Sequence, residues 1–438
     1  MPRIAHDERG YGSSGSSERY DLLEPANLEN PYPLYHRMRA ANPLYRDRRF
    51  LGHILTRYDD VAAILADPRV SARRPGADEP IGHRLAPVGA ELRELRSFQA
   101  KWLLYADPPD HTRLRTLATV AFTPRRVEAL RPRIQALVDV LLDGVRETGR
   151  MDVIGDLAQP LPTLVMAELM GLPSGDRHQL RAWSDGLAAG IVLSAVDASE
   201  RFRKAHEGQR ALVDYFRVLI AERRQRPRED LLSALLAAEA EGSILDEEEL
   251  LATCVLLLFA GHETTTGLIG NGVMALLEQP GQLERLREEP ALIGEAVEEL
   301  LRYDSPIQAT ARRATVELEL DGQRIRPGEF LTLIIGAANR DPARFDHPDV
   351  LDVARRDNRH LAFGYGPHFC LGAPLARLEG QIAMASLISE LGVLELAGPV
   401  QRRPHFFLRS LESLPVAFKP AGRGKRNAGP ALDGLPGR

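Results

Sequence analysis

One long apolar run constrains this chain more than anything else in it. It opens at Asp246, whose side chain can cap a helix while Glu249 sits three residues on. It continues to Gln279, where Pro280 stops it. At 1.5 Å per residue, about 33 residues make a rod of ~50 Å. The middle of the run, Leu256-Leu257-Leu258-Phe259-Ala260, is apolar on all sides. A helix of that kind belongs at the centre of a large protein, wrapped by other elements. A membrane is the other apolar host, but no window offers the ~18 apolar residues a span needs. The most apolar stretch, Val255 to Gly261, is far too short. No membrane anchor is expected.

The rest of the chain must supply the wrapping. Of 438 residues, 44% are hydrophobic and 27% charged, which is enough for a large core and excludes a chain disordered throughout. Residues 1–18 and 421–438 read as flexible tails, and the polar first segment is not a secretory signal. Across 19–420 there is no Gly/Ser- or Pro-rich linker and no internal repeat, so one domain is expected. Helices are expected from Asn30-Pro31, over Tyr58 to Ala66, from Thr123-Pro124 towards Gly144, and over Leu161 to Met170, ended by Gly171. Strands are scarce. Val316, Leu318 and Leu320 alternate with acidic residues up to an Asp321-Gly322 hairpin turn, and Pro327-Gly328 precedes a strand from Phe330 to Ile335. The expected class is mainly α with a minor β portion.

Two cysteines, Cys254 and Cys370, exclude a disulfide scaffold and fit a reduced, cytoplasmic compartment. A net charge of −5 argues against nucleic-acid binding. The chemistry must therefore be sought in local motifs. Ala260-Gly261-His262-Glu263-Thr264-Thr265-Thr266 is odd inside a buried helix. It has the His-Glu of a zinc-protease helix but a threonine where the second histidine would stand. Gly261 weakens the helix, and three successive threonines can bond back one turn and bend it. A buried acid and a hydroxyl at a locally opened helix form a proton relay. The competing reading is a kinked structural helix with Glu263 on the surface.

The second motif is Phe363-Gly364-Tyr365-Gly366-Pro367-His368-Phe369-Cys370-Leu371-Gly372. Its glycines let a backbone approach a flat ligand, and a cysteine just before a helix has N–H groups able to stabilise a thiolate. With no second cysteine nearby it cannot build a zinc or iron–sulfur site from local ligands. No Cys-x-x-Cys-His exists for covalent haem attachment. A single axial thiolate to haem iron remains. Cys254, in the apolar helix, reads as core.

The loop resembles the haem-binding signature of the cytochrome P450 family, Phe-Gly-x-Gly-x-His-x-Cys-x-Gly, at every defined position. Residues 260–265 resemble the family's Ala/Gly-Gly-x-Asp/Glu-Thr-Thr/Ser motif. Glu299-Leu300-Leu301-Arg302 is similar to its Glu-x-x-Arg. Asp110-His111-Thr112-Arg113-Leu114-Arg115 is similar to the haem-propionate helix of soluble bacterial members, where Asp107 can cap. Ala338-Asn339-Arg340-Asp341-Pro342 resembles the segment before the meander. The resemblance spans roughly residues 20–420. It implies a triangular domain with the long helix over haem b, the iron held by Cys370, and Phe363, Gly364 and Gly372 in the haem-binding loop. It implies that His111, Arg115 and His368 grip propionates together with an arginine. Arg312 and Arg313 point opposite ways on a strand. Arg312 shares the parity of Val316, Leu318 and Leu320 and stands two before Ala314, so Arg312 is chosen unless a bulge intervenes. Glu299 and Arg302 imply a third, loop-tying arginine. Leu351-Asp352-Val353-Ala354-Arg355 departs from the family's Phe-Asp-x-x-Arg, leaving Arg355 with Arg356 as competitor. Pro367 stands where many members carry an aliphatic residue and removes an N–H near the sulfur.

The implied activity is monooxygenation. One atom of O2 enters a lipophilic small molecule and the other leaves as water, with Thr264 assisting proton delivery and Glu263 connecting it to solvent. Electrons would come from a separate ferredoxin or flavodoxin with its NAD(P)H reductase, docked near Cys370. A monomer is expected. A peroxide-driven or non-hydroxylating enzyme and a non-catalytic haem sensor or carrier are the alternatives, and retention of Glu263 and Thr264 argues against both. The resemblance places the pocket wall in Ser71 to Leu103, Ser174 to Glu207, Ile307 to Ala311 and Phe406 to Leu411. The apolar run Leu187 to Leu193 suits a macrolide, terpenoid, steroid or fatty acid.

Overall fold

The computed structural model describes residues 19–74, 89–119, 122–190, 198–240 and 246–419. The expected tails 1–18 and 421–438 lie outside these, as do 75–88 and 191–197 of the expected pocket wall. The central helix spans Glu247–Glu278. The Glu249 N–H donates to Asp246 Oδ1 at 2.7 Å and the Asp246 N–H to Glu249 Oε2 at 3.2 Å, closing the capping box. Gln279 ends the helix and Pro280 opens a separate one.

By length and composition this helix is apolar enough to cross a membrane, contrary to the expectation from its longest uninterrupted run. However, 83% of its most apolar window is buried inside the protein. Helices Pro160–Met170, Ala198–Gln225, Ile293–Tyr303 and Ala373–Glu390 pack around it. At Gly272 the packing leaves no room for a side chain: a Cβ there would lie 2.5 Å from Met384 Cε and 3.1 Å from Leu300 Cδ1.

The other expected helices are present at Tyr32–Ala41, Tyr58–Ala66 and Pro160–Met170, the last ended by Gly171 at a φ of +66°. The segment from Thr123 is two helices, Pro124–Ala129 and Arg131–Arg146, because Pro132 has no N–H to continue the first ladder. Five strands form the main sheet, in the order Leu44–Asp47, Gly52–Leu55, Phe330–Ile334, Ala309–Ala314, Val70–Ser71. The Phe330–Ile334 strand is parallel to Gly52–Leu55 and antiparallel to Ala309–Ala314. The Asp321-Gly322 turn has φ of +51° and +71° and joins a separate hairpin, Leu318–Leu320 with Gln323–Ile325. Val316 falls between strands and is 45% exposed, so the inward parity used to choose Arg312 runs only as far as Ala314. Arg312 is buried and Arg313 half-buried.

Two buried ionic knots tie the layers together. Glu299 and Arg302 are both fully buried and meet in a bidentate pair at 2.7 and 2.8 Å. Arg355 Nε and Asn358 Nδ2 donate to Glu299 Oε2 at 3.0 and 3.1 Å, and the Asp352 N–H donates to Oε1 at 3.0 Å. Arg302 also holds the carbonyls of Asn339 and Pro348, at 2.9 and 2.7 Å. Arg355 is thus the third arginine, while Arg356 is exposed. The second knot is Asp304, which accepts from Tyr32 Oη and Arg409 Nε, each at 2.5 Å.

Arg302→Ala should destabilise the fold by about 3–5 kcal/mol, the usual cost of stripping one partner from a buried ion pair. Calorimetric melting and haem content should both fall, and an unchanged melt would show that the pair is dispensable. Glu379, on Ala373–Glu390, gives a pH test. Its Oε2 has no hydrogen-bond partner among the described residues, and burial pushes its pKa from 4.5 up to about 8. Folding therefore binds a proton between about pH 4.5 and 8, so the stability lost at this site grows as pH rises through that window. Glu379→Gln should match the wild-type melting temperature near pH 5 and exceed it near pH 8.

Candidate active site

The Cys370 loop is shaped before any ligand is considered. Gly364 and Gly366 take φ of +73° and +71°, and a Cβ on Gly366 would lie 3.0 Å from Ala66 Cα and from the Leu65 carbonyl. One turn of 3-10 helix covers Gly366–His368. The Cys370 N–H donates to the Phe363 carbonyl at 2.8 Å, which closes the loop. The helix Ala373–Glu390 follows directly. The Cys370 side chain is open. Surrounding protein raises its thiol pKa by desolvation, while the Gly372 and Ala373 N–H groups and the charges of Arg115 and Arg377 pull it down. Arg377 lies over the Phe363 ring at 4.6 Å and pairs with Glu298 at 2.7 Å, bracing the loop from below.

Four basic side chains gather beside this loop. The His111 and His368 rings are 4.1 Å apart between centroids. Arg115, on helix Asp110–Thr119, donates to the Phe369 carbonyl at 2.8 Å. Arg312 is buried and donates to its neighbour's carbonyl, Ala311, at 2.9 Å. Burial, then repulsion from Arg312 and His111, holds the His368 pKa down at about 3. Burial also lowers Arg312, to about 10. His111 is lowered by burial and by Arg115, and its buried Nε2 has no hydrogen-bond partner among the described residues. The nearby acid is Asp107, which does not cap the following helix as expected. Its carboxylate is taken by Ser71 Oγ at 2.5 Å and the Ala72 N–H at 2.9 Å. Mutually repelling donors of this kind suit an anion, and the carboxylates of a haem's propionates fit them.

On the central helix the expected local opening is absent: the helix runs unbroken through Gly261. Two of the three threonines bond back as expected, Thr264 to the Ala260 carbonyl at 3.0 Å and Thr266 to that of His262 at 2.9 Å. Ala260 is exposed, and Gly261 and Thr264 are half-buried, in a helix otherwise almost wholly buried. Glu263 is not on the surface, but the Arg403 it pairs with is 35% exposed. Glu263 itself is 8% exposed and ion-paired to Arg403, at 3.1 and 3.3 Å. Arg403 carries no sequence signal near either motif and was not foreseeable. Of the expected pocket wall, the Ile307 and Phe406 segments are joined: Ile307 bridges Leu408, and the Gln308 N–H donates to the Phe407 carbonyl at 2.8 Å. Trp102 stacks on Phe259 at 5.7 Å, bringing the Ser71 to Leu103 segment against the central helix.

An open thiol on a preformed loop and a cluster of anion-seeking bases are compatible with a haem held by a thiolate. The comparisons agree. The profile of the family described as Cytochrome P450 matches residues 191–408. The chain is 44% identical over 398 residues to a biotin biosynthesis cytochrome P450 of Bacillus subtilis, covering 90% of this chain and 97% of that one. It is 40% identical over 400 residues to the polyketide biosynthesis cytochrome P450 PksS of the same organism, covering 89% and 96%. A crystal structure of P450BioI with an acyl carrier protein ligated to hexadec-9Z-enoic acid superposes with a TM-score of 0.83 at 43% identity, covering 90% of this chain and all of that one. The chain belongs to the cytochrome P450 family. It is a haem-thiolate monooxygenase, using haem with an axial cysteine thiolate and working on lipophilic molecules.

Proposed function

We propose that Cys370 would be the thiolate ligand, within a catalytic domain spanning 19–420, and that Thr264 and Glu263 handle protons. Cys254 is a poor candidate for ligation: it is fully buried in the central helix, where desolvation pushes its thiol up to about 12. The observation that carries the reading is the open strip Ala260–Gly261–Thr264 on a helix buried almost everywhere else. When bound, the haem supplies activation of O2.

The chain's own residues bind, orient and move protons. His111, Arg115, Arg312 and His368 would hold the propionates, and Phe363, Gly364 and Gly372 would let the loop backbone approach the ring. The Thr264 hydroxyl donates to the Ala260 carbonyl at 3.0 Å, and rotation about χ1 turns the same proton towards the pocket. Glu263, one residue away and fixed by Arg403, is the next proton station. Trp102, stacked on Phe259, and the Ile307–Leu408 bridge supply apolar surface to the wall we assign to the pocket.

The substrate we infer is a lipophilic acyl or polyketide-derived molecule. The names of the biotin- and polyketide-pathway relatives and the acyl chain in the P450BioI complex support that class. The enzyme acts as a cytoplasmic monomer, and a ferredoxin or flavodoxin with its NAD(P)H reductase delivers electrons near Cys370.

Cys370→Ser should abolish the red-shifted Soret band of the reduced carbon-monoxide complex, whereas Cys254→Ser should keep it. The reverse pattern would move the ligand to Cys254. Thr264→Ala should leave that band and NADPH consumption in place while product per NADPH falls and peroxide rises. Unchanged coupling would reduce Thr264 to a helix-bending residue.

A further inference from the structure

His262 and Asp185 have no part in the site described so far. Asp185 lies on helix Arg177–Ala189 and, with His262 and Glu263, offers one ligand atom each within 4.8 Å of one another. His262 is 2% exposed, and among the described residues neither ring nitrogen has a hydrogen-bond partner; nor has Asp185 Oδ1. The two face each other, with Nδ1 3.7 Å from Oδ1. Two ligands each 2.0–2.1 Å from a tetrahedral zinc stand about 3.4 Å apart. The pair therefore has to close by only a few tenths of an ångström. Burial holds the His262 pKa well below its usual value, so the imidazole is a neutral donor at pH 7. The Asp185 side chain is 37% exposed, which admits water as a further ligand.

We propose that Asp185, His262 and Glu263 form a binding site for a zinc-class divalent cation. Neighbouring charges limit its affinity. Arg403 Nη1 lies 3.1 Å from Glu263 Oε1, and Arg181 Nε lies 3.8 Å from Asp185 Oδ2. The ion competes with both arginines for these carboxylates. Bound there, it immobilises Glu263 and starves Thr264 of protons. That consequence rests on the relay reading of Glu263, but the binding does not.

The test uses the haem-loaded enzyme, stripped with chelator and dialysed to equilibrium against Zn2+, with metal counted per haem. Wild type should retain one more zinc than Asp185→Asn or His262→Gln, and Arg403→Gln should bind that zinc about tenfold tighter. The carbon-monoxide band confirms that each variant is folded. Equal zinc in wild type and in both ligand variants overturns the proposal. Coupling measured with and without Zn2+ then separates the two claims. Product per NADPH should fall with zinc and recover with EDTA. Triad-dependent zinc with unchanged coupling would leave the site standing and overturn the relay role of Glu263.

Discussion

The buried carboxylate of Glu299 is the fixed point of the molecule. An ionised group without water must be surrounded by donors, and here they come from distant stretches of chain: Arg302 on its own helix, the Asp352 N–H, Arg355 and Asn358. Arg302 then gathers the carbonyls of Asn339 and Pro348. Asn339 passes the constraint on, because its Oδ1 accepts from the Leu361 N–H at 2.7 Å, two residues before the cysteine loop begins. A segment from 339 to 361 with almost no regular structure is thereby held as firmly as a helix. The position of Cys370 depends on it.

The site is built with the opposite logic. Where Glu299 is oversupplied with donors, His111, His368, Arg115 and Arg312 are short of acceptors, and Asp107 is spent on Ser71 and Ala72. Arg312 sits on a strand of the main sheet, Arg115 on a helix and His368 in the loop, so three rigid elements hold the like charges together. Stability is given up locally so that an anionic cofactor is the group that restores it.

Much of this was legible in the sequence because it is local. The capping box at Asp246 and Glu249, the Asp321-Gly322 turn and the glycines of the cysteine loop each state their geometry within a few residues. The choice of Arg312 over Arg313 leaned in part on a parity that does not hold: the strand stops at Ala314, and Val316 points to solvent. What stayed hidden is non-local. Arg403 reaches Glu263 from 140 residues away, and no spacing announces that. Asp107 looked like a helix cap, but Ser71, far upstream, was the better partner. The break at Leu130 was missed because the apolar period runs on through Pro132, which ends the hydrogen-bond ladder without disturbing the pattern.

The Asp304 knot also has a consequence in time. Tyr32 is made among the first residues of the domain and Arg409 among the last, yet both converge on one buried carboxylate at the end of the helix that carries Glu299. During synthesis, Asp304 meets Tyr32 and the charge of Arg340 long before Arg409 leaves the ribosome. The knot is then half-tied, and the late segment completes it by adding Arg402 and Arg409 to a carboxylate already buried.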